Sequence, residues 1–217
     1  MIASELSTRT EDGALLPALL WRFDRPMTVA STAAAGGGLG PRRWIINAQV
    51  PSDYARRDLA GHMDELAGTF DLAGPGVGML TASDVTGVRQ AEDGGASVAA
   101  TVGLALPTWA AAPDKPMAAP MAPGTINIVA FLPEPLTEGA LLNCLCTATE
   151  AKSQALAWAG VDGTGTASDA VTVVCPTGGE PQPFGGPRSL WGGRLARAVH
   201  HAVLAGCPLP DPADGDR

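Results

Sequence analysis

The densest polar cluster inside an apolar stretch is Thr147-Ala148-Thr149-Glu150-Ala151-Lys152. Here a carboxylate could activate water or grip a ligand, and an ammonium could polarise a carbonyl. A second reading competes for Glu150: Thr147-x-x-Glu150 fits a capping box, in which the glutamate bonds back to the Thr147 amide. On a regular helix of 3.6 residues per turn, Glu150 and Lys152 point about 200° apart, so both cannot serve one site from a helix interior. For Lys152 alone, a solvated surface charge is the default.

Asp169 follows Gly163-Thr164-Gly165-Thr166, a run of small residues that lets a ligand approach the backbone. The competing reading is a tight turn in which Asp169 bonds local amides. Among the three histidines, His62 borders the apolar stripe of one amphipathic helix, and His200 and His201 lie in another. Helical periodicity explains all three as surface or helix-terminus residues. There is no G-x-S-x-G elbow, H-E-x-x-H, P-loop or well-formed G-x-G-x-x-G. The Gly36–Gly40 run has no following P-loop lysine and reads as a turn or a close-contact loop.

These residues need elements to hold them. Leu19–Thr32 reads as one or two strands with a turn near Asp24-Arg25-Pro26, and Trp44–Val50 as a strand carrying Asn47. Asp58 can cap a helix whose Leu59, Met63, Leu66 and Phe70 share a face. Gly76–Val85 returns as a strand that ends in Thr81-Ala82-Ser83-Asp84. Gly87–Ala91 and Ala96–Leu106 form a hairpin about Glu92-Asp93-Gly94-Gly95. A Pro/Ala linker, residues 107–123, precedes a strand beginning Gly124-Thr125-Ile126-Asn127. Helix follows from Thr137 to about Trp158, then a strand over Ala170–Cys175, then a helix over about Leu190–Leu204.

The expected fold is therefore mixed α/β: two strand–helix–strand halves, about residues 14–112 and 113–206 of one domain, around a mixed sheet with helices packed on it. Ile45-Ile46-Asn47, helix, Thr81-Ala82-Ser83-Asp84 parallels Thr125-Ile126-Asn127, helix, Thr166-Ala167-Ser168-Asp169. A pseudo-twofold between the halves would bring Asn47, Asp84, Asn127 and Asp169 to one cleft; coincidence in an Ala/Thr-rich chain is the alternative. Residues 1–13 and 207–217 read as loose ends.

Composition narrows the function classes. At 217 residues, 46% apolar, with 27 Gly and 19 Pro, the chain has a globular balance with many turns. A net charge of −8 without a basic stripe disfavours nucleic-acid binding. The polar start, Met1–Asp12, has no signal-peptide core, and the longest uncharged stretch, Pro116–Pro133, is broken by Pro120, Pro123 and Gly124, against membrane insertion. Cys144, Cys146, Cys175 and Cys207 read as buried, reduced thiols. The expectation is a cytoplasmic protein with no metal site.

The ordered set Gly36-Gly37-Gly38, Trp44-Ile45-Ile46-Asn47, Val50-Pro51-Ser52-Asp53-Tyr54, Val77-Gly78-Met79-Leu80-Thr81-Ala82, Pro123-Gly124-Thr125-Ile126-Asn127, Thr147–Lys152, Gly163–Asp169 and Gly185-Gly186-Pro187-Arg188-Ser189 resembles the adenosylcobinamide amidohydrolase family of corrinoid-salvage enzymes. The resemblance spans about Ser31 to Gly206, with Ser168 where the family pattern has a threonine or proline-threonine before the aspartate. It implies hydrolysis of the amide linking the corrin propionate arm to aminopropanol, giving adenosylcobyric acid. The adenosylated corrinoid would then be substrate, and no cofactor is expected. It carries over no catalytic residue and says nothing of oligomeric state.

The chemistry of amide hydrolysis supplies the candidate roles instead. Glu150 or Asp169 would activate water, with Asn127, Thr125 or Lys152 helping the oxyanion; a Thr125 or Ser168 nucleophile is second. Asn47, Thr81, Asp84, Gly124, Thr166 and Ser168 would bind substrate in a cleft of Gly, Thr, Asn and Asp. A corrinoid carrier without hydrolysis, or an amidase for another small amide, are the alternatives.

Overall fold

The structure, a computed structural model, describes residues 4–113 and 124–208. Strands β1 (Glu5–Glu11) and β2 (Ala14–Ser31) form an antiparallel hairpin that turns at Asp12-Gly13, both at positive φ. Then come β3 (Gly38–Gln49), α1 (Leu59–Thr69), β4 (Gly76–Thr81), a 3-10 turn (Val85–Gly87), β5 (Arg89–Asp93) and β6 (Ala96–Val102). The chain continues with β7 (Ile126–Phe131), α2 (Glu138–Trp158), β8 (Ala170–Cys175) and α3 (Leu190–Gly206). The eight strands make one mixed sheet in the order β4-β3-β2-β8-β7-β6-β5, with β1 added to β2.

The expected α/β class holds. Both strand–helix–strand units exist: β3 and β4 are parallel across α1, and β7 and β8 are parallel across α2. What bends the sheet is β2. Its 18 residues shift register against β3 between Arg22 and Met27, around Pro26, which has no amide N–H for a ladder. Before the bend β2 pairs with the end of β3; after it, β2 also pairs with β8.

The two parallel pairs consequently face one another, and side chains alternate between an inner and an outer face. Leu19, Trp21, Ile45, Val77, Met79, Val129 and Val174 pack together between the layers. Trp44 and Ile46 face outward onto Met63 and Leu66 of α1. Ile126, Ile128 and Val173 face outward onto Leu141, Leu156, Leu195 and Val199 of α2 and α3. The order is helix, sheet, sheet, helix. On the same inner face, Asn47, Thr81, Thr101, Asn127 and Thr172 replace apolar residues and are buried, so the inner layer is polar where the halves meet.

Helix starts follow local rules. The Asp58 side chain accepts from Gly61 N at 2.9 Å at the start of α1. Thr137, not Thr147, caps α2. The capping-box reading of Thr147 and Glu150 therefore fails, because both sit in the interior of a 21-residue helix. Instead the Thr147 hydroxyl donates to the Gly185 carbonyl at 3.0 Å. A Cβ on Gly185 would overlap the Ala140 carbonyl of α2, and one on Gly192 the carbonyls of Gly185 and Gly186. Those glycines allow α2, the 185–186 loop and the start of α3 to pack at backbone contact.

Three expectations need correction. Residues 5–11 are not loose: they pair along β2 and bury the Arg9 side chain. His62 and His200 are not surface residues; both are buried, His200 edge-on to Trp158 at 4.6 Å between ring centroids. The duplication does not extend to the matched strings, since Thr81–Asp84 begins at the last residue of β4 and leaves it whereas Thr166–Asp169 precedes β8. Of the proposed linker, residues 114–123 lie outside the described residues, as does the tail from residue 209; Cys207 itself is buried against α3.

Candidate active site

A cavity of about 310 Å³ opens where the two halves meet. Ala33–Ala35 after β2, Val50–Ser52 and Tyr54 after β3, and Gly78–Ala82 at the end of β4 form one side. Thr125 and Asn127 at the start of β7, with Ser168 and Ala170 at the start of β8, form the other. The walls are mostly apolar, with Val50, Pro51, Leu59, Met79 and several alanines. This differs from the expected cleft of Gly, Thr, Asn and Asp: the polar groups are few and concentrated. The Gly36–Gly40 loop supports this rim; Gly36 has φ 66°, and a Cβ there would overlap the Gly76 carbonyl.

The candidate residues separate into three groups. Thr81, Thr125, Asn127 and Ser168 line the cavity. Thr125 Oγ1 and Ser168 Oγ share a hydrogen bond of 2.7 Å, and Ser168 Oγ is also 3.4 Å from the Gly124 carbonyl oxygen. Asn127 Nδ2 donates to Asn47 Oδ1 at 2.8 Å and to the Leu80 carbonyl at 3.3 Å, and Asn47 Nδ2 donates onward to Thr101 at 2.9 Å. Asn127 Oδ1 is buried with no hydrogen-bond partner among the described residues. Thr81 Oγ1 accepts from Ser83 N at 3.0 Å and fixes the turn leaving β4.

The second group braces the first from behind. Lys152 and Asp169 form an ion pair with side chains 7% and 10% exposed, which removes the reading of Lys152 as a solvated charge. Asp169 Oδ1 also accepts from Ile126 N at 2.9 Å and Thr166 Oγ1 at 2.5 Å, and Oδ2 from Thr166 N at 3.1 Å. A carboxylate has about four lone-pair positions, and here each is taken by this chain. Asp169 thus has no oxygen left for a water proton; it ties α2, the 163–169 loop and the start of β7 together. The segment is the tight turn in which Asp169 bonds local groups, and Gly163–Thr166 do not line the cavity.

The third group lies apart. Glu150 is exposed on α2, about 200° around the helix from the inward-facing Lys152. It does not line the cavity. Asp84 is exposed and caps the 3-10 turn by accepting from Thr86 N at 2.9 Å. Of the four residues expected in one cleft, Asn47 and Asn127 meet directly, Asp169 stands behind them, and Asp84 does not join.

One constellation was not singled out in the sequence. Tyr54, the single tyrosine of the chain, lines the cavity, and its hydroxyl is 2.7 Å from His62 Nδ1. His62 Nε2 lies 3.0 Å from Glu11 Oε1. Burial pushes the Tyr54 phenol up and the His62 imidazole down from their ordinary values, so both are neutral near pH 7. The available signal was Tyr54 within the Val50–Tyr54 string; His62 was hidden by its neighbours on the helical stripe, and Glu11 by its place in a polar N-terminal segment.

No group of three or more His, Cys, Asp or Glu among the described residues is placed to hold a metal. Three of the cysteines are buried and Cys146 is exposed; burial pushes the Cys144 thiol up to about 12. No helix among the described residues is long and apolar enough to cross a membrane.

Fold and site together define a mixed α/β protein with a small cavity at the junction of two strand–helix–strand units. The sequence model of the adenosylcobinamide amidohydrolase family matches residues 3–211, and the chain belongs to that family. An adenosylcobinamide amidohydrolase of Halobacterium salinarum is 39% identical over 142 residues, 61% of each chain. One of Methanosarcina mazei is 28% identical over 189 residues, 83% of this chain and 90% of that protein. The aligned part thus spans under two thirds of the Halobacterium relative and most of the Methanosarcina one.

Proposed function

We propose that the protein hydrolyses the amide between the corrin propionate arm and aminopropanol in adenosylcobinamide, producing adenosylcobyric acid. The family match over residues 3–211 carries this reading. The cavity supports it. Its volume of about 310 Å³ is near the lower end of ligand pockets, which run from about 300 to 1,000 Å³. That is room for a side arm and not for a macrocycle, so the ring rests outside while the arm enters.

An amide presents one acceptor and one donor, and the cavity offers the complement of both. When Ser168 donates to Thr125 Oγ1, in place of its longer 3.4 Å contact with the Gly124 carbonyl, the Thr125 hydroxyl proton is free to serve the substrate carbonyl oxygen as it gains charge. Asn127 Oδ1, buried and unpartnered, can accept from the amide N–H. The mostly apolar walls suit the methylenes of the arm. Asn47 holds Asn127, and the Lys152–Asp169 pair with Thr166 holds the strand starts. Glu150 and Asp84 take no part in this scheme.

The adenosylated corrinoid enters as substrate, in a cytoplasmic reaction that needs no added cofactor. Incubation with adenosylcobinamide followed by chromatography of corrinoids tests this: adenosylcobyric acid and free aminopropanol are expected, before and after treatment with a chelator. Recovery of intact adenosylcobinamide bound to protein would instead mark a corrinoid carrier. Thr125→Val should lower kcat by about 10²-fold or more, the usual cost of losing one oxyanion donor.

A further inference from the structure

The hydroxyl pair and Asn127 can hold an amide, but none of them can take a proton from water and hand one to a leaving amine. We infer that Tyr54 is the proton carrier of this site, acting through His62, which Glu11 positions. The inference rests on the proposed amide hydrolysis and extends it.

The geometry is that of a relay with one end in the cavity wall. Tyr54 lines the cavity; its hydroxyl meets His62 Nδ1 at 2.7 Å. The two rings stack at 5.4 Å between centroids with 27° between planes, which fixes the imidazole. His62 is 1% exposed, and Nε2 faces Glu11 Oε1 at 3.0 Å. That contact is a close charge contact without hydrogen-bond geometry; a carboxylate at this distance favours the proton on Nε2 over a lone pair, which leaves Nδ1 to accept from the phenol. Glu11 is itself held: Arg9 Nε donates to its Oε2 at 2.8 Å, and the Arg9 guanidinium also donates to the Gln49 carbonyl at 2.9 Å. Strand β1 thus delivers a fixed carboxylate to the back of a buried histidine whose front partner borders the cavity. A clasp needed only for stability would not have to end in the cavity wall.

The proton balance closes. As the water oxygen bonds to the amide carbon, Tyr54 Oη takes one water proton while its own passes to His62 Nδ1. The imidazolium formed lies against the Glu11 carboxylate. As the C–N bond breaks, His62 returns its proton to Tyr54, and Tyr54 gives one to the departing nitrogen. Water is consumed, the acid and the amine are released, and Tyr54 and His62 end as they began. The logic is that of a triad in which the carboxylate orients the imidazole, with water and not the hydroxyl as nucleophile.

Charged and titratable groups around His62 are Glu11 and Arg9 on β1, Tyr54 and Arg56 on the loop before α1, and Glu65 on α1 itself. Burial lowers the imidazole, and Glu11 is the first group that raises it. His62 must be neutral to accept a proton, so kcat/KM falls on the acid side as it protonates.

The experiment is adenosylcobinamide turnover from pH 5 to 9 with the full chain and with Tyr54→Phe and Glu11→Gln, with substrate binding followed by corrinoid absorbance. Tyr54→Phe removes one oxygen from a half-buried ring and should lower kcat by about 10²–10⁴-fold, the range for general acid–base groups, with binding changed less than about threefold. Glu11→Gln should lower kcat less and move the acid limb to lower pH, because the carboxylate that favours the imidazolium is gone. Wild-type turnover by folded Tyr54→Phe overturns the inference while leaving the hydrolysis standing, and so does an acid limb that Glu11→Gln leaves in place. Absence of turnover in the wild-type protein instead removes the proposed function beneath it.

Discussion

Two carboxylate–base contacts stand behind the cavity, and they are built to opposite specifications. In Lys152–Asp169 every carboxylate lone pair is filled by the chain's own donors, from three different segments. In Glu11–His62–Tyr54 a charge contact at 3.0 Å is followed by one hydrogen bond, and the last group borders the cavity. A saturated carboxylate fixes backbone; an unsaturated chain that reaches a cavity can move a proton. Type and spacing in the sequence favoured the first as the chemical centre. Bonding capacity is why we place proton transfer with the second and bracing with the first.

The sharpest way to break the comparison is to remove one half of the saturated pair. Asp169→Asn leaves the buried Lys152 ammonium without its counter-charge, and removing one partner of a buried pair typically costs about 3–5 kcal/mol. Urea unfolding should register that loss. Lys152→Met combined with Asp169→Leu should cost less than the two single changes added together, because the second removes an orphan left by the first. A loss under about 1 kcal/mol in Asp169→Asn would mean that the pair is not the brace described.

Gly165 probes the same brace without touching a charge. A Cβ at Gly165 would overlap Asp169 Oδ2 and Lys152 Nζ, so Gly165→Ala must push the pair apart. Overpacking of this kind typically costs about 1–3 kcal/mol, readable as a lowered Tm. The same change should lower activity only through the strand starts that carry Thr125 and Ser168.

Much of this architecture was legible before any coordinates. Short, nearly continuous apolar runs located β7 and β8, the Glu92–Gly95 turn located the β5–β6 hairpin, and Asp58 and Thr137 marked two helix starts, because each is a local signal. Asn47 and Asn127 were legible as buried amides inside apolar strands, which need partners, though not that each would be the other's. What failed was non-local. That Glu150 faces solvent follows only from where α2 begins, at Glu138, nine residues before Thr147. That β1 is a strand depends on an edge of β2 that no window around residues 5–11 contains. His62 resembled a stripe neighbour because the partner that matters, Glu11, lies 51 residues away.

Asn47 tests the seam between the halves at smaller scale. Asn47→Ala removes the 2.8 Å contact to Asn127 and the 2.9 Å contact to Thr101, leaving buried polar groups at a cost of about 1–3 kcal/mol. The freed Asn127 amide can then turn, so KM for adenosylcobinamide should rise together with the stability loss. A stability loss with unchanged KM would mean that Asn127 needs no support to meet substrate.

The smallest effect separates histidine burial from catalysis. Burial lowers the folded-state imidazoles of His62 and His200 below the ordinary value. Above about pH 6.5, the unperturbed value, both states leave these groups neutral and they add no pH dependence. Below it the unfolded chain binds protons that the native state resists, so stability falls as pH falls, until the native imidazoles themselves protonate. Each histidine contributes at most about 1.4 kcal/mol per pH unit. His200 does not line the cavity, its Nε2 is buried without a partner, and its ring packs on Trp158. His200→Phe keeps the aromatic contact and removes the orphaned nitrogen, so urea unfolding at pH 5.5 and 7.5 should show part of the acid loss gone while the share owed to His62 remains. The acid limb of turnover should not move, because that limb belongs to the histidine that touches Tyr54. A limb that follows His200→Phe would tie the activity to the α2–α3 side of the molecule and away from β1.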